Sequence, residues 1–481
     1  MLLVLLIVPL FAAVALAFVG DRKFAPDINI AGSAATFIAG AGLALQVYEQ
    51  GPMLAGGKFF FVDAFNIYLA VLTSFVSMTT AVFSRRYMRR EREHGRVGRT
   101  RMRFYHAMYQ LFIFAMLLCL LTNSIGILWI AMELATLSTV LLVSLYRTPT
   151  AIEAAWKYFI LCGVGIAQAL FGTVLLYFAA EKVLGEGGEA LLWTNLNQVS
   201  GSLEPTVLSL AFVFLMVGYG TKVGLVPLHN WLPDAHSEGP TPISAVLSGL
   251  LLNIALYALV RCKVLVDGAT GTHRAGNIMM GFGLLSILVA AFSLLRQKDI
   301  KRMFSYSSIE HMGIATFAFG LGGPVATFGG LLHVLVHSLA KSSIFFTAGH
   351  ASQMHMTQEM DRIRGLFRGN SLVGWGLMLG VMAIVGMPPF GIFTSEFLIL
   401  TATMKDAPYL TPVLLLGLAV TFAALFRRVQ PMVSGDAPAY QKAIKAAHVP
   451  VILHMVLVLV LGLYMPDFLN KWFHTAVGLL K

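Results

Sequence analysis

Charge is what this 481-residue chain has least of. Only 12% of its residues are Asp, Glu, Lys or Arg, against about a quarter in a soluble domain. With 57% apolar residues and a mean hydropathy of +0.77, that shortage excludes a soluble fold and places the chain in a lipid bilayer. Cysteine is scarce too. Cys119, Cys162 and Cys262 fall in or beside apolar stretches without metal-type spacing, so the sequence offers no disulfide framework, no iron–sulfur site and no metal ligand set. Long polar segments are few as well. A transmembrane helix consumes about 20 apolar residues, and roughly fourteen such helices fill the chain, leaving no room for a soluble catalytic domain. The excess of 34 Lys+Arg over 23 Asp+Glu sits at helix ends, where headgroups and the positive-inside rule account for it, so nucleic acid is excluded as a partner. The chemistry that remains is acid–base rather than redox.

The expected architecture is an all-α integral membrane protein. Apolar stretches predict helices 1 to 14 at residues 2–19, 29–47, 64–84, 106–122, 125–146, 154–180, 207–231, 240–261, 276–296, 302–321, 324–350, 373–404, 408–427 and 449–465. The first run has no basic n-region and no small-residue cleavage site, so it reads as helix 1 rather than as a signal peptide. The segment SRRYMRREREHGRVGRTRMRF between helices 3 and 4 carries nine arginines against Glu91 and Glu93. Further basic clusters lie at 296–302, 361–368 and 427–445, all after odd-numbered helices, whereas the connection 181–204 after helix 6 is acidic. The positive-inside rule then puts the odd-helix loops in the cytoplasm and both termini outside. The arginine cluster reads as a topology anchor, with an anionic-lipid or partner site as the alternative.

Several ionisable residues fall inside these spans, where each costs about 2.5 to 3.5 kcal/mol on insertion scales. Glu133 lies in helix 5, Lys222 in helix 7 and Glu396 in helix 12. Helix 11 carries His333, His337 and Lys341 four residues apart, hence on one helical face. Neutralising structural pairs are the plain explanation for one Glu and one Lys. Six such groups over four helices exceed what structure needs and point to a proton-conducting chain. Lys157, near the cytoplasmic start of helix 6, can snorkel. His311, beside Glu310 in helix 10, suits core hydrogen bonding or a relay equally. His229 and His236, in VPLHNWLPDAHSEGPTP, are placed at the cytoplasmic edge.

Helix 7 has Gly218, Gly220 and Gly224 around Lys222 and then Pro227; helix 12 has Gly386, Pro388, Pro389 and Gly391 ahead of Glu396. Proline removes a backbone donor and clashes with the preceding turn, so both helices are expected to be broken. Paired interrupted helices in corresponding places point to inverted repeats with ion sites at the breaks. The repeats would be helices 4–8 and 9–13, giving segments 1–105 (helices 1–3 and the basic loop), 106–265 and 270–430 (the two five-helix repeats) and 431–481 (helix 14 and tail).

The stretch GTKVGLVPLHNWLPDAHSEGPTPISAVLSG, with ELATLS before it and HVLVHSLAKS and PPFGIFTSEF after it, resembles the antiporter-like membrane subunits shared by respiratory complex I, Mrp-type Na+/H+ antiporters and group 4 membrane-bound [NiFe] hydrogenases. HNWLPDAHSE with SGLLLNIAL is most similar to the component F branch of hydrogenase-4. The resemblance covers helices 4 to 13. It implies that Glu133 pairs with Lys222, that His333, His337 and Lys341 form a central polar axis, and that Glu396 is the terminal proton-transfer residue. It also implies other membrane subunits and a peripheral cytoplasmic redox arm as partners, with [NiFe] and iron–sulfur centres there and no cofactor in this chain, in a bacterial or archaeal cytoplasmic membrane. Many relatives carry a lysine in helix 8 where this chain has Asn253, which hydrogen-bonds and holds water but carries no proton at neutral pH. Three functions follow as expectations: a proton-translocating subunit coupled to partner electron transfer, a Na+/H+ antiporter subunit, or a non-conducting scaffold. An inorganic-carbon uptake role belongs to the same set.

Overall fold

The computed structural model describes residues 1–436 and 446–480. Six long helices open the chain: α1 (Leu2–Val19), α2 (Ala25–Gln50), α3 (Ala64–Glu93), α4 (Arg99–Leu121), α5 (Ile125–Val143) and α6 (Pro149–Leu184). A short helix α7 (Trp193–Gln198) precedes α8 (Pro205–Val223), α9 (Trp231–Glu238), α10 (Thr241–Val246) and α11 (Leu252–Thr270). The second part holds α12 (Arg274–Leu294), α13 (Ile300–Leu321), α14 (Gly323–His355), the short α15 (Leu366–Gly369), α16 (Ser371–Ile384), α17 (Gly391–Asp406), α18 (Thr411–Ser434), α19 (His448–Leu463) and α20 (Asp467–Leu479). Among the described residues the one sheet is a two-stranded antiparallel hairpin, β1 (Met53–Ala55) with β2 (Phe60–Val62).

Among the described residues, eleven helices, counting α10–α11 as one, are long and apolar enough to cross a membrane, and the α19–α20 pair, bent by 78°, makes a twelfth if it is taken as one span. Two other expected spans coincide with α13, which carries Lys301, Arg302 and Glu310, and with the pair α16–α17. Both expected breaks are present. Helix α8 ends one residue after Lys222 because Gly224 turns left-handed at φ +81°, and Leu225 N–H closes the end onto Gly220 O at 2.9 Å. Such a turn favours glycine, which has no Cβ to clash. Helix α16 stops at Ile384, Gly386 turns left-handed at φ +69°, and Met387 N–H closes onto Met382 O at 3.1 Å. The Thr221 carbonyl, which takes the Gly224 N–H at 3.1 Å, also accepts from the Trp231 indole at 2.8 Å, so this carbonyl at the first break is satisfied inside protein, as membrane depth requires.

Four features differ from the sequence expectation. Most of the arginine segment is helix, since α3 runs on to Glu93 and α4 starts at Arg99; Arg and Glu are good helix formers. Acidic residues 181–204 include the tail of α6 and all of α7. Between α10 and α11 the helix widens into a π segment at Leu247–Leu251. The tail beyond α19 is a further helix, α20, anchored by Trp472 Nε1 donating to Ala64 O at 2.7 Å. Of the basic cluster 427–445, Lys442 and Lys445 lie outside the described residues. The core centres on α14, which packs against α13, α16, α17, α19 and α3, and it is α14 that carries the His333–His337–Lys341 face.

Candidate functional site

Among the described residues, the ionisable groups that the sequence singled out inside the spans fall into two clusters. The first surrounds Lys222, which is completely buried at the end of α8. Its ammonium donates to the Thr136 hydroxyl on α5 and lies 5.4 Å from the Tyr158 ring centroid. Tyr158 OH in turn meets Thr139 Oγ1 at 2.7 Å. Glu133 is one turn before Thr136 on α5, only half-buried, and its Oε2 has no hydrogen-bond partner. The pairing of Glu133 with Lys222 implied by the resemblance is therefore not a contact: no ion pair within 4 Å joins them, and Thr136 holds the lysine instead. Sequence reasoning missed Thr136, Thr139 and Tyr158, whose hydroxyls look like ordinary helix residues until the helices are packed.

The second cluster lies on α13, α14 and α17. His311 Nδ1 and His333 Nε2 are 3.1 Å apart, and His333 Nδ1 is 3.0 Å from Ser395 Oγ. The His337 ring centroid stands 5.4 Å from that of His311 and 6.3 Å from that of His333, and neither His337 nitrogen has a hydrogen-bond partner. Glu396, the residue after Ser395, is buried beside His311 and His333. Glu310 Oε2 is 3.6 Å from His311 Nε2. Lys341 donates to Phe304 O at 2.8 Å. His311, open between core and relay at the sequence level, is thus hydrogen-bonded into the set, and Glu310 joins it as a residue the sequence flagged only by adjacency.

The π segment and α11 stand next to both clusters. Ser248 meets Ser308 of α13 at 2.7 Å. Asn253 donates to Ser338 Oγ and to Gly249 O, both at 2.7 Å, while its own Oδ1 is buried without a partner. Among the described residues no hydrogen bond or ion pair links Lys222 to Lys341. His236, expected at the cytoplasmic edge, is fully enclosed within the protein, because α9 tucks between α6 and α13; its ring stacks on Phe345 of α14 at 5.0 Å with both nitrogens unpartnered. His229 is nearly buried and meets Tyr306 edge-on. Lys157 is exposed and pairs with Glu153 at 2.7 Å and with Asp234 at 3.2 Å, so it stays outside both clusters. Another group unforeseen from sequence is the buried pair of Arg261 and Asp63 at 2.6 Å, with the guanidinium 4.3 Å from the Trp193 ring centroid.

The two breaks share a register. A left-handed glycine is followed by a proline three residues on (Gly224 and Pro227; Gly386 and Pro389) and by a carboxylate ten residues on (Gly224 and Asp234; Gly386 and Glu396). Asp234 bonds Arg302 and Lys157 near the surface, while its counterpart Glu396 is enclosed with histidines.

Residues 122–423 match the family described as NADH:quinone oxidoreductase/Mrp antiporter, TM. The chain belongs to that family. It is 47% identical over 446 residues to the hydrogenase-4 component F homolog of Methylacidiphilum infernorum (isolate V4), covering 93% of each chain. Its fold is that of a chain in the membrane-bound sulfane sulfur reductase, an archaeal respiratory membrane complex (TM-score 0.90, 24% identity, 99% of this chain and 97% of that one). It is also that of a chain in the Mrp complex from Dietzia sp. DQ12-45-1b (TM-score 0.85, 18% identity, 100% and 97%). The chain is accordingly an antiporter-like, multi-pass membrane subunit of the kind found in multi-subunit complexes.

Proposed function

We propose that this subunit translocates protons in a redox-driven complex of the hydrogenase-4 type, with Lys222 and Glu133 loading the route and Lys341, His337, His333, His311 and Glu396 carrying it on. The observation that carries the reading is the hydrogen-bonded run His311–His333–Ser395 beside Glu396. Groups that each cost about 2.5 to 3.5 kcal/mol to bury at membrane depth are retained where they serve transfer. A lysine in apolar surroundings holds its proton less tightly, and a carboxylate coming near restores it. A swing of half-buried Glu133 toward or away from Lys222 then reloads or releases the lysine, and the Thr136 hydroxyl keeps the ammonium in place meanwhile.

In this reading the [NiFe] and iron–sulfur centres sit in partner subunits of a peripheral cytoplasmic arm. The chain crosses a bacterial or archaeal cytoplasmic membrane about fourteen times with both termini outside, and the shared register of the breaks supports two inverted five-helix halves at 106–265 and 270–430.

Asn253 favours a second reading, a non-conducting scaffold, because α11 offers no proton carrier where it faces Ser338. Proteoliposomes holding the purified complex, given its electron donor and a pH-sensitive dye, decide between them. Proton movement that is lost in Lys341→Met while electron transfer continues supports translocation. Wild-type proton movement in that variant, or none in the wild type, supports the scaffold.

A further inference from the structure

The His311–His333–Glu396 cluster is arranged as a set of metal ligands as well as a relay. One nitrogen from each histidine and one carboxylate oxygen all lie within 4.8 Å of one another, each on a different helix. Zinc bonds of roughly 2.0–2.1 Å in a tetrahedron place neighbouring donor atoms about 3.3 Å apart. His311 Nδ1 and His333 Nε2 already stand at 3.1 Å, close to that spacing; turning both rings so that their lone pairs converge, and moving the carboxylate oxygen through its side-chain torsions, completes the set.

The hydrogen bonds around the rings are those that ligating histidines need. With Ser395 Oγ donating its one hydrogen to Ile392 O at 2.8 Å, it is free to accept from His333 Nδ1–H at 3.0 Å. That leaves the His333 Nε2 lone pair turned toward His311. In the metal-free state His311 Nδ1–H donates to it, and His311 Nε2 is left without a hydrogen-bond partner, 3.6 Å from Glu310 Oε2. When a cation takes both lone pairs, the His311 proton moves from Nδ1 to Nε2, where Glu310 accepts it. Each ligating ring would then have its outer partner, Ser395 for His333 and Glu310 for His311, the arrangement that fixes tautomer and ring orientation around bound zinc. Beside the helix break, Glu396 keeps 8% exposure.

We propose that His311 Nδ1, His333 Nε2 and the Glu396 carboxylate form a site for a divalent cation that prefers nitrogen and oxygen donors, Zn2+ above all, with a water as fourth ligand. Occupancy ties up the lone pairs that would pass a proton, so the ion blocks the route. That consequence rests on the proton-transfer reading above; the binding does not.

Co2+ is the probe, because its visible absorption reports tetrahedral coordination directly. The purified full-length chain in detergent should take up one equivalent of Zn2+-displaceable Co2+ with tetrahedral absorption, more weakly as pH falls because protons compete for the ligands. His311→Gln and Glu396→Gln should each abolish that signal, and Glu310→Gln, which keeps all three donors, should weaken Co2+ affinity about 10- to 100-fold. Unchanged elution and thermal unfolding would show that the variants are folded; the milder Ser395→Ala, expected to lower affinity without removing a ligand, serves if they are not. Absence of tetrahedral absorption in the wild type, or its persistence in folded His311→Gln, overturns the site. Site-specific binding that leaves proton movement unaffected in proteoliposomes upholds the metal site and overturns the proton route through it.

Discussion

Gly386 leaves open the space that the Glu396 carboxylate occupies: a Cβ on this glycine would collide with a carboxylate oxygen of Glu396. The left-handed turn that ends α16 therefore also seats the acid of α17. Gly386→Ala should cost about 1–2 kcal/mol for the left-handed backbone and in addition push the carboxylate away from His311 and His333. Gly224→Ala serves as the control, since its Cβ would meet only apolar side-chain atoms, Leu232 at 3.3 Å and Ile309 at 4.0 Å. Proton movement in proteoliposomes should fall at least tenfold for Gly386→Ala and much less for Gly224→Ala at similar loss of thermal stability. Equal losses in both would show that backbone strain alone is being read.

The pair of Arg261 and Asp63 is expected to be structural. Asp63 caps α3, accepting from Phe65 and Asn66 N–H, while its other oxygen meets Arg261. Removing one partner of a buried pair costs about 3–5 kcal/mol, because the other charge stays buried. Arg261→Met should thus lower the unfolding temperature in detergent sharply. Adding Asp63→Asn, which keeps a capping oxygen, should recover most of that loss. Additive losses in the double variant would mean that the two residues act independently.

How far the sequence reaches depends on what each signal measures. Hydropathy reads apolar length, so it finds α1 to α6 and α14 directly but misjudges where polar residues simply continue a helix, as at Arg85–Glu93. Glycine and proline mark chain breaks by local sterics, and both breaks fall where those residues stand. Charge in an apolar run singles out Glu133, Lys222, His333, His337, Lys341 and Glu396, and the structure buries all of these except half-buried Glu133. What it cannot find are partners that come from other helices. Thr136 takes the place next to Lys222 that the resemblance gives to Glu133, and Ser395 orients His333, yet both are unremarkable in sequence. His236 shows another detail that sequence could not reach: packing of α9 against α6 and α13 encloses its ring.

The odd-helix loops are expected on the cytoplasmic side. Glu93, exposed at the end of α3, is a suitable reporter because all three native cysteines are buried. Glu93→Cys should react with a membrane-impermeant maleimide in inside-out vesicles and stay unmodified in intact spheroplasts. Modification in spheroplasts would reverse the orientation and place both termini in the cytoplasm.

Lys222 and Glu133 are expected to be needed for proton movement but not for assembly. Because Thr136, rather than Glu133, holds the Lys222 ammonium, the two charges are not locked to each other, and Glu133 is only half-buried. Glu133→Gln keeps shape and should leave stability within about 0.5 kcal/mol of wild type, while slowing proton movement at least tenfold. Thr136→Val leaves the buried ammonium without its acceptor and should cost about 1–3 kcal/mol. Lys222→Met removes that ammonium along with its need for a partner, so combining it with Thr136→Val should restore stability without restoring transport. The double change Glu133→Gln with Lys222→Met removes both charges and should assemble normally, with electron transfer retained and no proton movement. Vesicles of this double variant that acidify at the wild-type rate would make Lys222 and Glu133 a structural clamp and place the proton route elsewhere in the bundle.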